Sequence, residues 1–235
     1  MGWFSGHLGK IDVDISNSYT KIDNFSTKWE KDGHKLSSFI SKSPIELELN
    51  DNTKVINGKL FYEYLKDTKR IIKEGRKFKV VVEKNVIDTQ WTDFWFTEKS
   101  FILIKKGETR KKGFELLSKA LTGEEGNITA CNFNIKGIFE ENPYQWMGAF
   151  RDREGNIHRG IFYGENIVQD EEMGDAYTRT IHKNQVGFMT NYFGAENKVR
   201  ITRKGFIQIH SLSEEDIDKV FQFIRDELSA YILED

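Results

Sequence analysis

The side chains that could do chemistry in this 235-residue chain are scattered. In the stretch DTQWTDFWFTE the acids Asp88, Asp93 and Glu98 could in principle share general acid–base work. Their odd separations send successive side chains to opposite faces of a strand, which is poor geometry for a catalytic pair. The five histidines, His7, His34, His158, His182 and His210, form neither an H-x-H nor an H-E-x-x-H spacing, and the lone Cys131 cannot build a sulfur-rich zinc site. No P-loop, no G-x-G-x-x-G following a strand and no G-x-S-x-G elbow is present. The polar cluster of His158 and Arg159 beside Asp152 and Glu154 reads as a solvated turn. The reading therefore assigns no catalytic residue, no metal ligand and no cofactor, and leans away from an enzyme.

Phosphate binding is the chemistry the charge pattern supports best. Residues 53 to 112 hold sixteen Lys/Arg against eight Asp/Glu, a net of +8, which leaves −10 on the rest of a chain whose total is −2. The densest stretches are DTKRIIKEGRKFK and KKGETRKK, giving Lys69, Arg70, Arg76, Lys77, Lys105, Lys106, Arg110, Lys111 and Lys112 as candidate contacts to DNA or RNA. Trp91, Phe94, Trp95, Phe96 and Phe101 lie close by, and aromatic rings stack on bases or wedge between them. The acidic complement, Asp170, Glu171, Glu172 and Asp175, lacks EF-hand spacing and reads as a solvated loop or a dock for a basic protein partner.

These residues need elements to hold them. FTEKSFILI at 96–104 and ITRKGFIQI at 201–209 share Thr, Lys, Phe, Ile and Ile at five of nine positions. In the first, WTDFWF and SFILI form a hairpin, with Phe101 and Leu103 on one face and Ile102 and Ile104 on the other, so the strand is covered on both sides or paired with an aromatic neighbour. A helix with Phe114, Leu117 and Leu121 inward follows. In the second, KVRIT turns at Arg203–Lys204–Gly205 into FIQI, and a helix opens on a capping box of Ser211 and Glu214, with Ile217, Val220, Phe221, Ile224 and Leu228 as its apolar stripe. Two copies of one hairpin-plus-helix unit are expected to pack about a local two-fold, with helices on one face of an antiparallel sheet. The fold class is α+β. The division is an N-terminal attachment at 1–75, a first copy at 76–125 and a second at 126–235.

Elsewhere, GKIDVDI, IELEL, FKVVVEK and NITACNFNI read as strands, and QWMGAFRDREGNIHRGIFYG as a hairpin turning near Glu154–Gly155–Asn156. KLFYEYLKDTKRIIK reads as a helix with Leu60, Tyr64, Ile71 and Ile72 inward, and Ile22, Phe25 and Trp29 suggest another. One cysteine, no apolar run long enough to span a bilayer, and a start without signal-peptide or myristoylation patterns predict a cytoplasmic protein with no membrane partner.

The strand NITACN, the hairpin KVRITRKGFIQI and the helix opening SEEDIDKV together resemble the C-terminal repeat of TATA-binding proteins. The resemblance covers about residues 127–233. It implies a saddle-shaped duplicated sheet with helices on its outer side, and Phe94, Phe101, Tyr192 and Phe206 as candidates on a nucleic-acid-binding concave face. A protein–protein adaptor using the acidic loop and C-terminal helix is the alternative, and a small-ligand binder or enzyme with a pocket invisible in the sequence is a third reading.

Overall fold

A computed structural model describes residues 2–13, 15, 22–23, 25–44, 47–97, 101–105, 107, 110–151, 157–172, 174–179 and 182–234. Their strands are β1 (Trp3–Ile11), β2 (Ser26–Lys31), β3 (His34–Lys42), β4 (Leu47–Glu48), β5 (Lys54–Glu74), β6 (Lys77–Thr97), β7 (Phe101–Lys105), β8 (Ile128–Ala130), β9 (Gln145–Phe150), β10 (Gly160–Tyr163), β11 (Lys183–Thr190), β12 (Asn197–Thr202) and β13 (Phe206–His210). The helices are α1 (Arg110–Thr122), α2 (Ile135–Glu141), α3 (Gly174–Thr178) and α4 (Ile217–Phe223). All thirteen strands join one antiparallel sheet, in the order β10-β9-β11-β12-β13-β1-β7-β6-β5-β3-β2, with β4 on β5 and β8 on β1. The α+β class follows directly.

Both expected hairpins form and flank β1. Val199, Arg200 and Ile201 pair with Ile209, Gln208 and Ile207, and Phe94, Trp95 and Phe96 pair with Ile104, Leu103 and Ile102. β13 and β7 each run antiparallel to β1, Phe4 facing Ile209 on one side and Leu8 facing Leu103 on the other. Residues directly opposite share a face, so Phe4, Leu8, Leu103, Ile207 and Ile209 face one way. They join one core with Ile217, Val220, Phe221, Ile224 and Leu228 of α4 and its continuation. Ile102 and Ile104 face the other way, into a second core with Phe114, Leu117 and Leu121 of α1. Of the two readings of SFILI, burial on both faces is the one the strand adopts. The helices, expected on one face, instead lie on opposite faces, because each packs on the Ile-x-Ile of its own hairpin and the two pairs of isoleucines point in opposite directions.

The N-terminal residues are more than an attachment, since β1 is the strand on which both hairpins close. β1 begins earlier than GKIDVDI suggested, and Val13 lies beyond it and is exposed. The α1 side needs glycine here: a Cβ on Gly9 would stand 2.5 Å from Phe114 Cε1.

The segment KLFYEYLKDTKRIIK is a strand, not a helix. A spacing of four, as between Leu60 and Tyr64, satisfies period 2 as well as period 3.6. Pairing along nearly the whole of β6 then overrides the helix preference of Lys, Glu and Leu. Ile71 and Ile72 point to solvent from opposite faces of a long two-stranded arm. Trp29, likewise expected on a helix, belongs to β2. NITACNFNI leaves the sheet after Ala130, and Ile135 opens α2 under an Asn134 cap that accepts from Gly137 N at 3.1 Å. The capping box before α4 is formed by Ser213 and Asp216, two residues beyond the expected pair. Ser213 N and Oγ each donate to Asp216 Oδ2 at 3.0 Å, and Glu215 N donates to Ser213 Oγ. Ser211 has φ 67° and cannot serve as the extended cap residue. β9 and β10 form the expected hairpin, whose turn at 154–156 lies outside the described residues.

Candidate functional site

Toward β10, the sheet face that carries α1 further along has no helix on it among the described residues; α2 and α4 pack into the opposite core. Alternation decides what it displays. In β12, Val199 and Ile201 point into the core, so Lys198, Arg200 and Thr202 point out. The pairs Trp3–His210, Ser5–Gln208 and His7–Phe206 follow on β1 and β13, and Gln185 sits opposite Thr202 on β11.

Aromatic and cationic side chains interleave there. The His210 ring lies edge-on between Trp3 and Trp146, with centroids at 5.4 and 5.6 Å. Trp146 is fixed by donating Nε1–H to the Phe188 carbonyl at 3.2 Å, and it carries the Lys198 ammonium 5.5 Å from its ring. Arg200 lies 5.7 Å from the Phe206 ring and donates twice to Gln185 Oε1, at 3.1 and 2.7 Å. Trp3 is 62% exposed and Tyr163 64%. Burial and the nearby Lys198 hold the His210 imidazole below its ordinary value, so it is neutral at pH 7.

Beside this aromatic row are two adjoining clefts. One, of about 480 Å³, is lined by Arg151, His182, Lys183, Asn184, Gln185, Arg200, Thr202, Arg203 and Lys204. The other, of about 390 Å³, adds Arg159, Gly160 and Ile161. Neither lining includes a carboxylate. Lys183 contributes only its backbone, because its ammonium turns to the opposite face, over the Phe139 ring at 4.2 Å, and donates to the Thr178 carbonyl. Burial lowers its pKa. Arg151, Arg159, Arg200, Arg203 and Lys204 have no ion-pair partner among the described residues. Asn184, with its amide turned to donate to the Ala149 carbonyl, accepts from Arg151 Nε at 3.1 Å. Cations gathered without counter-charge repel one another, and an anion relieves that repulsion.

Of the residues singled out in the sequence, Phe206 and Arg110 reach this place; Arg110 opens α1 and donates to the Lys204 carbonyl at 3.3 Å. Phe94 is fully buried beneath α1, where no base can stack on it. Phe101 and Tyr192 pack against the α4 core, and the Tyr192 hydroxyl donates to Asp226 at 2.5 Å. Lys105 is held by Glu214 and, more weakly, by Asp93, which raise its pKa. Lys112 pairs with Glu115 and covers the Trp29 ring, Lys111 is exposed on α1, and Lys106 lies outside the described residues. Lys69, Arg70, Arg76 and Lys77 sit far out on the arm, with Arg70 paired to Glu83 at 3.0 Å. In the acidic loop, Asp175 is already paired with Arg179 at 2.7 Å, while Asp170, Glu171 and Glu172 are exposed. Asp88 and Asp93 point to opposite faces of β6, bound to Lys66 and Lys59 respectively.

No protein-family model matches the chain, and no curated protein matches it as a relative. Among the described residues no helix is long and apolar enough to cross a membrane, and no group of three or more His, Cys, Asp or Glu could hold a metal ion.

Proposed function

We propose that this protein binds single-stranded nucleic acid across the open face of β12, β13 and β1, with the backbone in the cationic cleft. The observation that carries the reading is the coincidence of two features on one exposed face. Five cations without acid partners among the described residues adjoin an aromatic row in which Trp3 and Tyr163 are exposed. Phosphates supply charge for the first, and unstacked bases supply π-faces for the second. A duplex hides its base faces, which favours single strands; an acidic peptide would use the cations and leave the rings idle. The candidate contacts thus shift from residues 69–112, Tyr192 and Phe206 to residues nearer both ends of the chain; Arg110 and the buried Phe206 ring lie beside the new face.

The two hairpin–helix units are read as copies of one ancestral module. The half turn that would relate them runs along β1 and lies in the plane of the sheet, so each copy keeps its helix on its own isoleucines while the helices end on opposite faces. This axis leaves no shared concave surface of the TATA-binding-protein kind, which is a further reason to place the ligand on the single open face.

The test is fluorescence anisotropy with labelled single strands and duplexes over a salt series. Four phosphate contacts, from Arg151, Arg200, Arg203 and Lys204, predict a log–log salt slope of about −3 for single strands. Affinity unchanged by added salt, or tighter binding to duplex than to single strands, would sink the proposal.

A further inference from the structure

The longest strands, β5 and β6, leave the body as a two-stranded arm. Its tip is a hairpin closed by the two-residue turn Gly75–Arg76, where Gly75 takes φ 62°. Every residue from Lys69 to Val80 is exposed, so nothing among the described residues covers either side of the tip. The stretch 69–82 holds six Lys/Arg against one acid, Glu74, a net of +5. Opposite residues share a face. Lys69, Ile71, Lys73, Phe78, Val80 and Val82 therefore line one side, and Arg70, Ile72, Glu74, Lys77, Lys79 and Val81 the other. The first side carries no acid over this stretch, and its Ile71 and Phe78 are 72% and 73% exposed. Arg70 is paired with Glu83. Lys69, Lys73, Arg76, Lys77 and Lys79 have no ion-pair partner among the described residues. A two-stranded ribbon alone in water is marginal, and these cations repel one another; an enclosing polyanion relieves both.

We propose that the arm tip lies in the major groove of a DNA duplex, with its Phe78 side toward the floor. The groove is about 12 Å wide and admits a two-stranded ribbon. Its floor offers thymine methyls to Ile71, Phe78 and Val80, and guanine acceptors to Lys69 and Lys73. The phosphates stand along both rims, about 8.5 Å above that floor. Lys77 and Lys79 on the outward side and Arg76 at the turn are placed to reach them. The distribution of charge over both sides of the ribbon selects this ligand. A bilayer surface would take the Phe78 side and leave Lys77 and Lys79 facing water. A single strand would find one ring, Phe78, to stack on. An RNA duplex has a major groove too deep and narrow to be read. The site is separate from the open face of β12, β13 and β1 and does not depend on the single-strand reading of that face.

Salt-titrated anisotropy of the intact chain with blunt DNA and RNA duplexes of one sequence tests this. Three phosphate contacts predict a log–log slope of about −2.7 for the DNA duplex. It should bind more weakly than a single strand, which has four contacts and stacking, and about tenfold more tightly than the RNA duplex. Lys77→Gln/Lys79→Gln should reduce the DNA slope by about 1.8. Phe78→Ser should weaken the DNA duplex about tenfold with the slope unchanged. Lys28→Gln/Lys31→Gln removes the same charge from exposed positions of β2 and should alter neither quantity. Circular dichroism and Tm confirm that each variant folds. A DNA duplex that does not bind, that binds no better than the RNA duplex, or that keeps its slope in Lys77→Gln/Lys79→Gln would each overturn the proposal. Binding to mixed phosphatidylcholine–phosphatidylserine vesicles, lost in Phe78→Ser while the DNA duplex stays unbound, would overturn it in favour of a membrane surface. Single-strand titrations alone score the open face, so either proposal can fail while the other stands.

Discussion

Replacing Trp3 by alanine separates binding from folding more cleanly than any other change on the open face. The indole is 62% exposed, and its contact within the chain is edge-on with His210 at 5.4 Å. The backbone pairing of Trp3 with His210 does not depend on the side chain. An exposed substitution of this kind changes stability by about 0.5 kcal/mol or less. Stacking of one base on an aromatic ring is worth about 1–3 kcal/mol. The expected loss in affinity for a single strand is therefore roughly 5- to 150-fold, with Tm unchanged. The salt slope should also stay where it was, because no phosphate contact is removed. Anisotropy titrations at several salt concentrations, with a thermal melt of each sample, read all three quantities. An affinity within twofold of the parent in a folded protein would refute the stacking role, and a slope shallower by one contact would show that Trp3 acts through charge placement instead.

Other outcomes follow from the same geometry. Arg151→Ala combined with Arg200→Ala should reduce the single-strand salt slope by about 1.4, two contacts' worth, and salt-titrated anisotropy checks it. His210 has its pKa lowered by burial and by Lys198, so the folded state resists protonation and the unfolded state does not. The stability it contributes is present above its unfolded value, about 6.5, and is lost as pH falls below it; melts across that window should show a loss that His210→Gln removes. Over the same window a bound polyanion favours the protonated ring, so single-strand affinity should rise on acidification in the parent and not in His210→Gln. Gly9→Ala drives a Cβ to 2.5 Å from Phe114 Cε1 and 2.8 Å from Ile102 Cγ2, and should cost about 1–3 kcal/mol in chemical denaturation, partly recovered by Phe114→Leu. Ser213→Ala removes the cap hydroxyl before α4 and should cost about 1 kcal/mol by the same measurement.

The paired hairpins and both apolar helix stripes were legible because each is a local pattern: two-residue alternation around a short turn, or spacings of three and four. What escaped was set by pairing between distant segments. Nothing in WFSGHLGKI announces that it will be the strand between two hairpins, since its glycines look like loop residues until Phe114 is seen to occupy the space above one of them. KLFYEYLKDTKRIIK was ambiguous because Leu60 and Tyr64 satisfy two periods, and the partner that decides between them begins at Lys77. The site suffered most. Charge density along the chain drew attention to residues 53–112, yet many of those cations lie on the arm or are already paired. The cations that line the open face are spread over residues 151–204 and converge only through sheet order. One clue was available: if Val199 and Ile201 face the core, Lys198 and Arg200 must face away from it.

The five tryptophans make the central claim directly measurable. Trp3 and Trp146 lie on the proposed face, whereas Trp29, Trp91 and Trp95 sit on β2 and β6 away from it. In a ¹⁵N-labelled sample titrated with a short single strand, the indole N–H resonances of Trp3 and Trp146 should move together along the binding isotherm while the other three stay fixed. Movement of Trp91 or Trp29 with Trp3 and Trp146 unmoved would contradict the account.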